Sequence, residues 1–181
     1  MRDQILTARR RRDVAAIGAD ARAMAAIALT DSRVRRAATV AAYVSVGTEP
    51  GTGALLEGLA AAGKRVLLPI LQPDNDLEWG VYDGSLVPAR RGLLEPTGPR
   101  LGADAIGSAD VVLVPGVAAD VGGRRLGRGG GSYDRALARV APGTWVAILL
   151  FDEEIVTRVP TDPHDRTVDA AITPTRVIQF A

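Results

Sequence analysis

The chain has 181 residues, no cysteine and one histidine, His164, which removes disulfides, thiolate metal sites and cysteine nucleophiles and nearly excludes a Ser-His-Asp triad or a multi-histidine metal centre. With 22 basic and 21 acidic residues the net charge is +1, which argues against a general affinity for nucleic acid or membrane surfaces. Hydrophobic residues make up 47% but aromatics only 4%, so the core must be built from Val, Leu, Ile and Ala, as in parallel strands buried between helices.

The length fits one domain, residues 1–181. No apolar run approaches the roughly 20 residues of a membrane span, and no apolar signal core follows the N-terminal arginines, so a cytoplasmic protein is expected. Basic residues gather at Arg9 to Arg12, Arg33 to Arg36, Arg90–Arg91 and Arg124 to Arg128, and only Lys64 is a lysine.

Residues 3 to 29 read as helix, with Val14, Ile17, Ala21, Met24 and Ala28 at helical spacing and Gly18 as a possible break. Thr30-Asp31-Ser32 predicts a stop and then a cap for a short basic helix. Val40 to Val46 reads as a buried strand, Gly47 to Gly53 as a loop carrying Glu49, Ala54 to Ala62 as a helix stopped by Gly63, and Arg65 to Pro69 as a strand. That order makes a βαβ unit. Weaker strands are expected at Leu77 to Tyr82 and Leu86 to Ala89, around Asp83-Gly84, with Gly92 to Pro99 as connection. Asp110 to Pro115 is the clearest central strand. A glycine-rich loop, a helix from Ser132 to Val140, a buried strand at Thr144 to Phe151, a polar loop at Asp162 to Arg166 and a last strand at Val168 to Thr173 complete the chain. The alternation predicts a three-layer α/β fold, a mainly parallel central sheet with helices on both faces.

Six of the ten residues from Gly122 to Gly131 are glycine, far more than a turn requires. Such a run lets the backbone approach a ligand and aim several N–H groups at it. It precedes a helix start, where free amides and the dipole favour an anion, and Arg124, Arg125 and Arg128 add charge and bidentate geometry. A P-loop would end Gly-Lys-Ser/Thr, and a dinucleotide fingerprint would place a third glycine at Ser132, so the loop is neither. Asp134, in the first helical turn, is either a favourable helix-start charge or a Mg²⁺ ligand beside nucleotide phosphates, with Asp165 as a possible second carboxylate. Asp120 could orient the loop arginines. Glu49 follows a strand, at the edge where open α/β sheets bind ligands, and is either a substrate contact or a solvent-facing glutamate. His164 reads as a loop or capping residue rather than a base.

The run Pro115 to Asp120, with Gly123, Arg125-Leu126-Gly127, Gly129, Gly131, Tyr133-Asp134-Arg135 and Leu137, resembles the signature of the 5-formyltetrahydrofolate cyclo-ligases. Tyr43 to Thr52, Lys64 to Pro69, Gly92 to Pro96 and His164 to Thr173 are similar to further segments of that family. The resemblance implies a NagB/RpiA-like fold, a monomer, and ATP- and Mg²⁺-dependent conversion of 5-formyltetrahydrofolate to 5,10-methenyltetrahydrofolate with release of ADP and phosphate. It further implies that Arg125, Leu126, Gly127, Arg128, Gly129, Gly130, Gly131, Ser132 and Tyr133 hold ATP, with Arg125, Arg128 and Tyr133 acting on the transferring group. By the same likeness Glu49 and Arg128 to Ser132 meet the folate, and Asp134 and Asp165 bind Mg²⁺.

The family's aromatic residues are absent at Ala119 and Ser132, and its N-terminal K-x-x-L-R element is absent as such, leaving either Arg2 or one of Arg9 to Arg12 to substitute, or a start for this chain that is set too far downstream. A diverged paralogue acting on another small substrate, or a non-catalytic nucleotide- or folate-binding protein, is the alternative.

Overall fold

The computed structural model describes residues 1–181. The helices are α1 (Arg2–Arg10), α2 (Val14–Thr30), α3 (Ser32–Arg36), α4 (Gly53–Ala61) and α5 (Ser132–Leu137). The strands are β1 (Thr39–Ala41), β2 (Arg65–Leu71), β3 (Leu77–Val81), β4 (Leu86–Pro88), β5 (Leu94–Pro96), β6 (Val111–Val114), β7 (Ala118–Asp120), β8 (Arg125–Leu126), β9 (Trp145–Leu149), β10 (Ile155–Val156), β11 (Ala170–Ile172) and β12 (Val177–Gln179). Seven of them form the central sheet, in the order β12-β11-β9-β6-β1-β2-β3. Only the two edge strands, β3 and β12, run antiparallel to their neighbours.

Period-two alternation in the short apolar strands feeds two cores at once. Val111 and Leu113 of β6, with Ala147 and Leu149 of β9, pack under α2, α3 and α4 against Met24, Val34, Leu55 and Leu59. Their neighbours Val112, Val114, Val146 and Ile148 face the other way, onto Ala136 and Leu137 of α5 and Ile106 of a short 3₁₀ turn. Both faces are therefore dry, which is why these strands read as continuous apolar runs, and the three-layer α/β expectation holds. No helix is long and apolar enough to cross a membrane.

Several local expectations change. The first helical stretch breaks at Arg11 to Asp13, not at Gly18, which sits inside α2. Gly18 is tolerated because α2 is held by packing rather than by propensity alone. Asp31 does cap α3, accepting a hydrogen bond from the Arg33 N–H at 2.9 Å. Leu86–Pro88 pairs with Leu94–Pro96 in a separate two-stranded hairpin, so the stretch expected as plain connection supplies a strand. The strand at Ala170–Ile172 is not the last, since β12 returns beside it. The glycine-rich segment does not run straight from β6 to a helix. The chain between β6 and that helix contains β7 and β8, antiparallel to each other, with β10 paired to β7. Strands of two or three residues are too short for a periodicity to reveal. The helix after it ends at Leu137, three residues before Val140.

Candidate active site

A cavity of about 810 Å³ opens along the edge of the sheet where β6, β1 and β2 end. All ten residues from Arg125 to Asp134 line it, joined by Glu49 after β1, Pro69 and Leu71 on β2, and the loop from Pro160 to Asp165. The sheet order forces this convergence. β6 and β1 are adjacent and parallel, so the loops leaving their ends lie side by side.

The glycine-rich segment divides into two functional halves. Gly122, Gly123 and Arg124 form the turn of the β7–β8 hairpin and do not line the cavity. Asp120, 2% exposed, accepts hydrogen bonds from the N–H groups of Gly122, Arg124 and Val159 at 3.0, 3.1 and 3.0 Å. Burial raises its carboxyl pKa, but those amides outweigh burial and hold it below the usual carboxylate range. Asp120 thus fixes the hairpin and not the cavity arginines. Arg124 is half-exposed and lies 3.7 Å from Asp120, so it is not one of the charges facing the cavity.

The second half, Gly127 to Gly131, is the cradle. Gly129 and Gly131 take φ values of +98° and +69°, which side-chain-bearing residues rarely adopt. Gly131 caps α5 in the left-handed conformation. Because α5 has only six residues its dipole is small, and local amides and arginines must carry most of the attraction for an anion.

Arg125 lies in β8 and is 7% exposed, pairing through Nη2 with Asp134 Oδ1 at 2.8 Å. Its Nε is buried without a protein partner. Arg128 is half-exposed and reaches Glu49 Oε1 at 3.2 Å, tying the β1 loop to the cradle. Arg2, at the start of α1, donates from Nε to the Gly127 carbonyl at 2.9 Å and also lines the cavity. Among the N-terminal arginines, then, Arg2 reaches this site. Arg9 is instead buried in a bidentate pair with Glu154, at 2.6 and 2.7 Å, and donates to the Gly116 carbonyl at 2.8 Å. The pair holds α1 against the turn that follows β9, and the Gly116 contact holds it against the chain that leaves β6.

Glu49 is 8% exposed, not solvent-facing, and its Oε2 accepts from the Val46 N–H at 2.9 Å. Burial pushes its carboxyl above the usual range, opposed by the Val46 amide and by Arg128. A raised folded-state pKa means the native state binds the proton more readily than the unfolded chain. Stability is therefore fullest below the unfolded value and falls as pH rises through the raised one. Glu49→Gln is accordingly expected to melt higher than the parent at pH 8, with the gap closing toward pH 4. Melting curves across that range check this, and a variant that melts lower at pH 8 contradicts it. Beside Glu49, the phenol oxygens of Tyr43 and Tyr133 are buried without protein partners, and both rings line the cavity. Burial, reinforced by the Glu49 carboxylate, raises both phenols, so they stay protonated and can donate to a ligand. In the sequence Tyr43 is marked only as a phenol in an apolar run and as the first residue of the family-like segment Tyr43 to Thr52, and it lies just past β1, which ends at Ala41.

Asp134 spends one oxygen, Oδ1, on Arg125 and on the Arg166 N–H at 3.1 Å, leaving Oδ2 without a protein hydrogen bond. Asp165 likewise accepts from the Asp162 N–H through Oδ2 at 2.7 Å, while its Oδ1 lies 3.7 Å from His164 Nε2. One uncommitted oxygen on each of two cavity carboxylates is a donor set that suits Mg²⁺, which takes one or two carboxylates and completes its shell with water and phosphate oxygens. Asp162, His164 and Asp165 also form a compact group, with His164 exposed on the rim.

A model of the 5-formyltetrahydrofolate cyclo-ligase family matches residues 1–174. A 5-formyltetrahydrofolate cyclo-ligase of Mycolicibacterium smegmatis is 47% identical over 146 residues, covering 77% of this chain and 75% of the relative. The Escherichia coli K12 protein of that name is 36% identical over 157 residues, covering 84% and 86%. In fold the chain is similar to Aquifex aeolicus 5,10-methenyltetrahydrofolate synthetase, with a TM-score of 0.85, 24% identity and coverage of 98% and 90%.

Proposed function

Because the chain belongs to the 5-formyltetrahydrofolate cyclo-ligase family, we propose that the cavity at the ends of β6, β1 and β2 is where it cyclises 5-formyltetrahydrofolate. The reaction is ATP-dependent and yields 5,10-methenyltetrahydrofolate, so the enzyme is a ligase that closes a carbon–nitrogen bond. The observation that carries the assignment of residues is the unbroken lining from Arg125 to Asp134, opposite a buried Glu49.

In this reading the amides of Gly127 to Gly131, with Arg2, Arg125 and Arg128, hold the ATP phosphates. The formyl oxygen attacks the γ-phosphorus as the bond to ADP breaks. N10 then attacks the activated formyl carbon, phosphate leaves with the former formyl oxygen, and N10 gives up its proton. The nucleophiles all belong to the substrates, which explains a catalytic site without cysteine and with histidine only on its rim. The protein supplies positioning and charge stabilisation. Mg²⁺, held by Asp134 and Asp165, would screen the phosphate oxygens. Glu49 and the two unpartnered phenols face the polar edge of the pterin. Ala119 is fully buried beneath the site and Ser132 lines the cavity, so the smaller residue at Ser132 widens the folate side. We further propose that residues 1–181 act as one domain, as a cytoplasmic monomer with no nucleic-acid or membrane partner.

The test is incubation of the purified protein with Mg-ATP and 5-formyltetrahydrofolate. Growth of the near-ultraviolet absorbance of the methenyl product, matched by ADP, supports the reading. ATP binding with no absorbance change overturns it in favour of a non-catalytic binder, and ADP release with another substrate in favour of a paralogue.

A further inference from the structure

Of the nine residues of α1 only one has a buried side chain, and it is charged: Arg9, 1% exposed. The apolar grip of the helix is limited to Ile5 and Leu6, partly buried against Val117, Ala118, Leu126 and Val159. Arg9 belongs to a closed ring of contacts. Its partner Glu154, itself 2% exposed, also accepts from the Phe151 N–H through Oε2 at 3.0 Å. Arg9 Nη2 holds the Gly116 carbonyl, and the next residue, Val117, donates from its N–H to the Leu126 carbonyl at 2.7 Å. After Leu126 comes Gly127, whose carbonyl accepts from Arg2. Arg2 and Arg9 are seven residues apart, so they share one face of α1, two turns or about 10 Å from each other. Both ends of the helix are thereby tied to the chain that forms the cradle.

A buried ion pair is a weak source of net stability, because desolvation of the two charges offsets most of their attraction. Apolar side chains of similar volume would fill the same space without fixing a direction. A guanidinium fork on one carboxylate and one carbonyl sets both the rotation and the axial position of its helix. We infer that Arg9 and Glu154 are positioning residues, which set α1 so that Arg2 lies across the cradle at Gly127 and Gly129. Arg2 is exposed and has a single side-chain hydrogen bond to the protein, and its Nη1 lies 3.6 Å from where a Cβ on Gly129 would stand. Its place over the cradle is therefore set by the helix that carries it. The inference rests on the reading of the cradle as the ATP phosphate site.

The test is a cycle between R9M/E154M, which removes both buried charges together and strands neither, and R2A. The readouts are Tm, the Kd for Mg-ATP by calorimetry and the KM for 5-formyltetrahydrofolate. R9M/E154M is expected to keep a parental Tm or exceed it. It binds Mg-ATP about five- to tenfold more weakly, the scale of one charge-assisted contact, while KM for the folate stays parental. In the R2A background the same pair of changes weakens Mg-ATP by less than about twofold, because the residue through which it acts is gone. E154Q, a smaller perturbation that keeps the side-chain shape, repeats the cycle should the paired variant not fold. Parental Mg-ATP affinity in the folded variant, an equal loss with and without Arg2, or an equal loss for the folate overturns the inference. A parent protein that binds Mg-ATP but forms no methenyl product overturns the folate reading alone, since the binding cycle still decides the inference. A parent that binds no Mg-ATP overturns both.

Discussion

Asp134→Asn lowers kcat/KM for Mg-ATP by two to three orders of magnitude, about 3–4 kcal/mol of transition-state stabilisation, with the fold intact. The asparagine keeps the shape and still accepts from Arg125 and the Arg166 amide, whose bonds go to Oδ1 alone. What it loses is the charge on Oδ2, the oxygen with no protein hydrogen bond and the one proposed to meet Mg²⁺. Circular dichroism and melting temperature check the fold, and steady-state kinetics over a Mg²⁺ titration check the role. If Asp134 serves only as a helix-start charge, the variant retains full turnover and loses a few tenths of a kcal/mol in stability.

Arg125→Ala acts on both stability and chemistry. Arg125 is 7% exposed and its partner Asp134 is 18% exposed, so truncation strands a largely buried carboxylate and opens a gap beneath the cradle. Breaking such a pair costs about 3–5 kcal/mol when both groups are fully buried, and partial solvation of Asp134 reduces this to roughly 2 kcal/mol. That corresponds to a drop of about 4–8 °C in Tm for a chain of this size. ATP turnover is expected to fall by at least about a hundredfold, because the buried Nε without a protein partner is lost along with Nη2. Arg125→Lys separates the two effects. It keeps the charge opposite Asp134 and most of the stability, but not the planar fork, so its turnover stays low. Parental turnover in the lysine variant would contradict a geometric role for the guanidinium.

How far the sequence foretold these residues depends on the range of the forces that place them. The cradle was legible because its requirement is local: glycines at Gly129 and Gly131 answer a backbone conformation that only a few neighbouring residues define. The apolar runs at Asp110 to Pro115 and Thr144 to Phe151 announced central strands because they are buried on both faces. Other features depend on partners far away in the chain. Arg9 meets Glu154 across 145 residues, and nothing in the run Arg9 to Arg12 marks which arginine turns inward. Arg124 and Arg125 are neighbours, yet one faces solvent and the other the cavity, because Arg124 belongs to the β7–β8 turn and Arg125 begins β8. The burial of Glu49 and the unpartnered phenols of Tyr43 and Tyr133 follow from three loops meeting at one sheet edge, a consequence of strand order.

In the proposed reaction the cradle brings the γ-phosphate of ATP onto the formyl oxygen of the folate. Turnover of 5-formyltetrahydrofolate labelled with ¹⁸O in the formyl group, followed by mass spectrometry of the released phosphate, tests this. One labelled oxygen in each phosphate, matched to the methenyl product formed, is the predicted result. Unlabelled phosphate, with the label recovered in water, would contradict it.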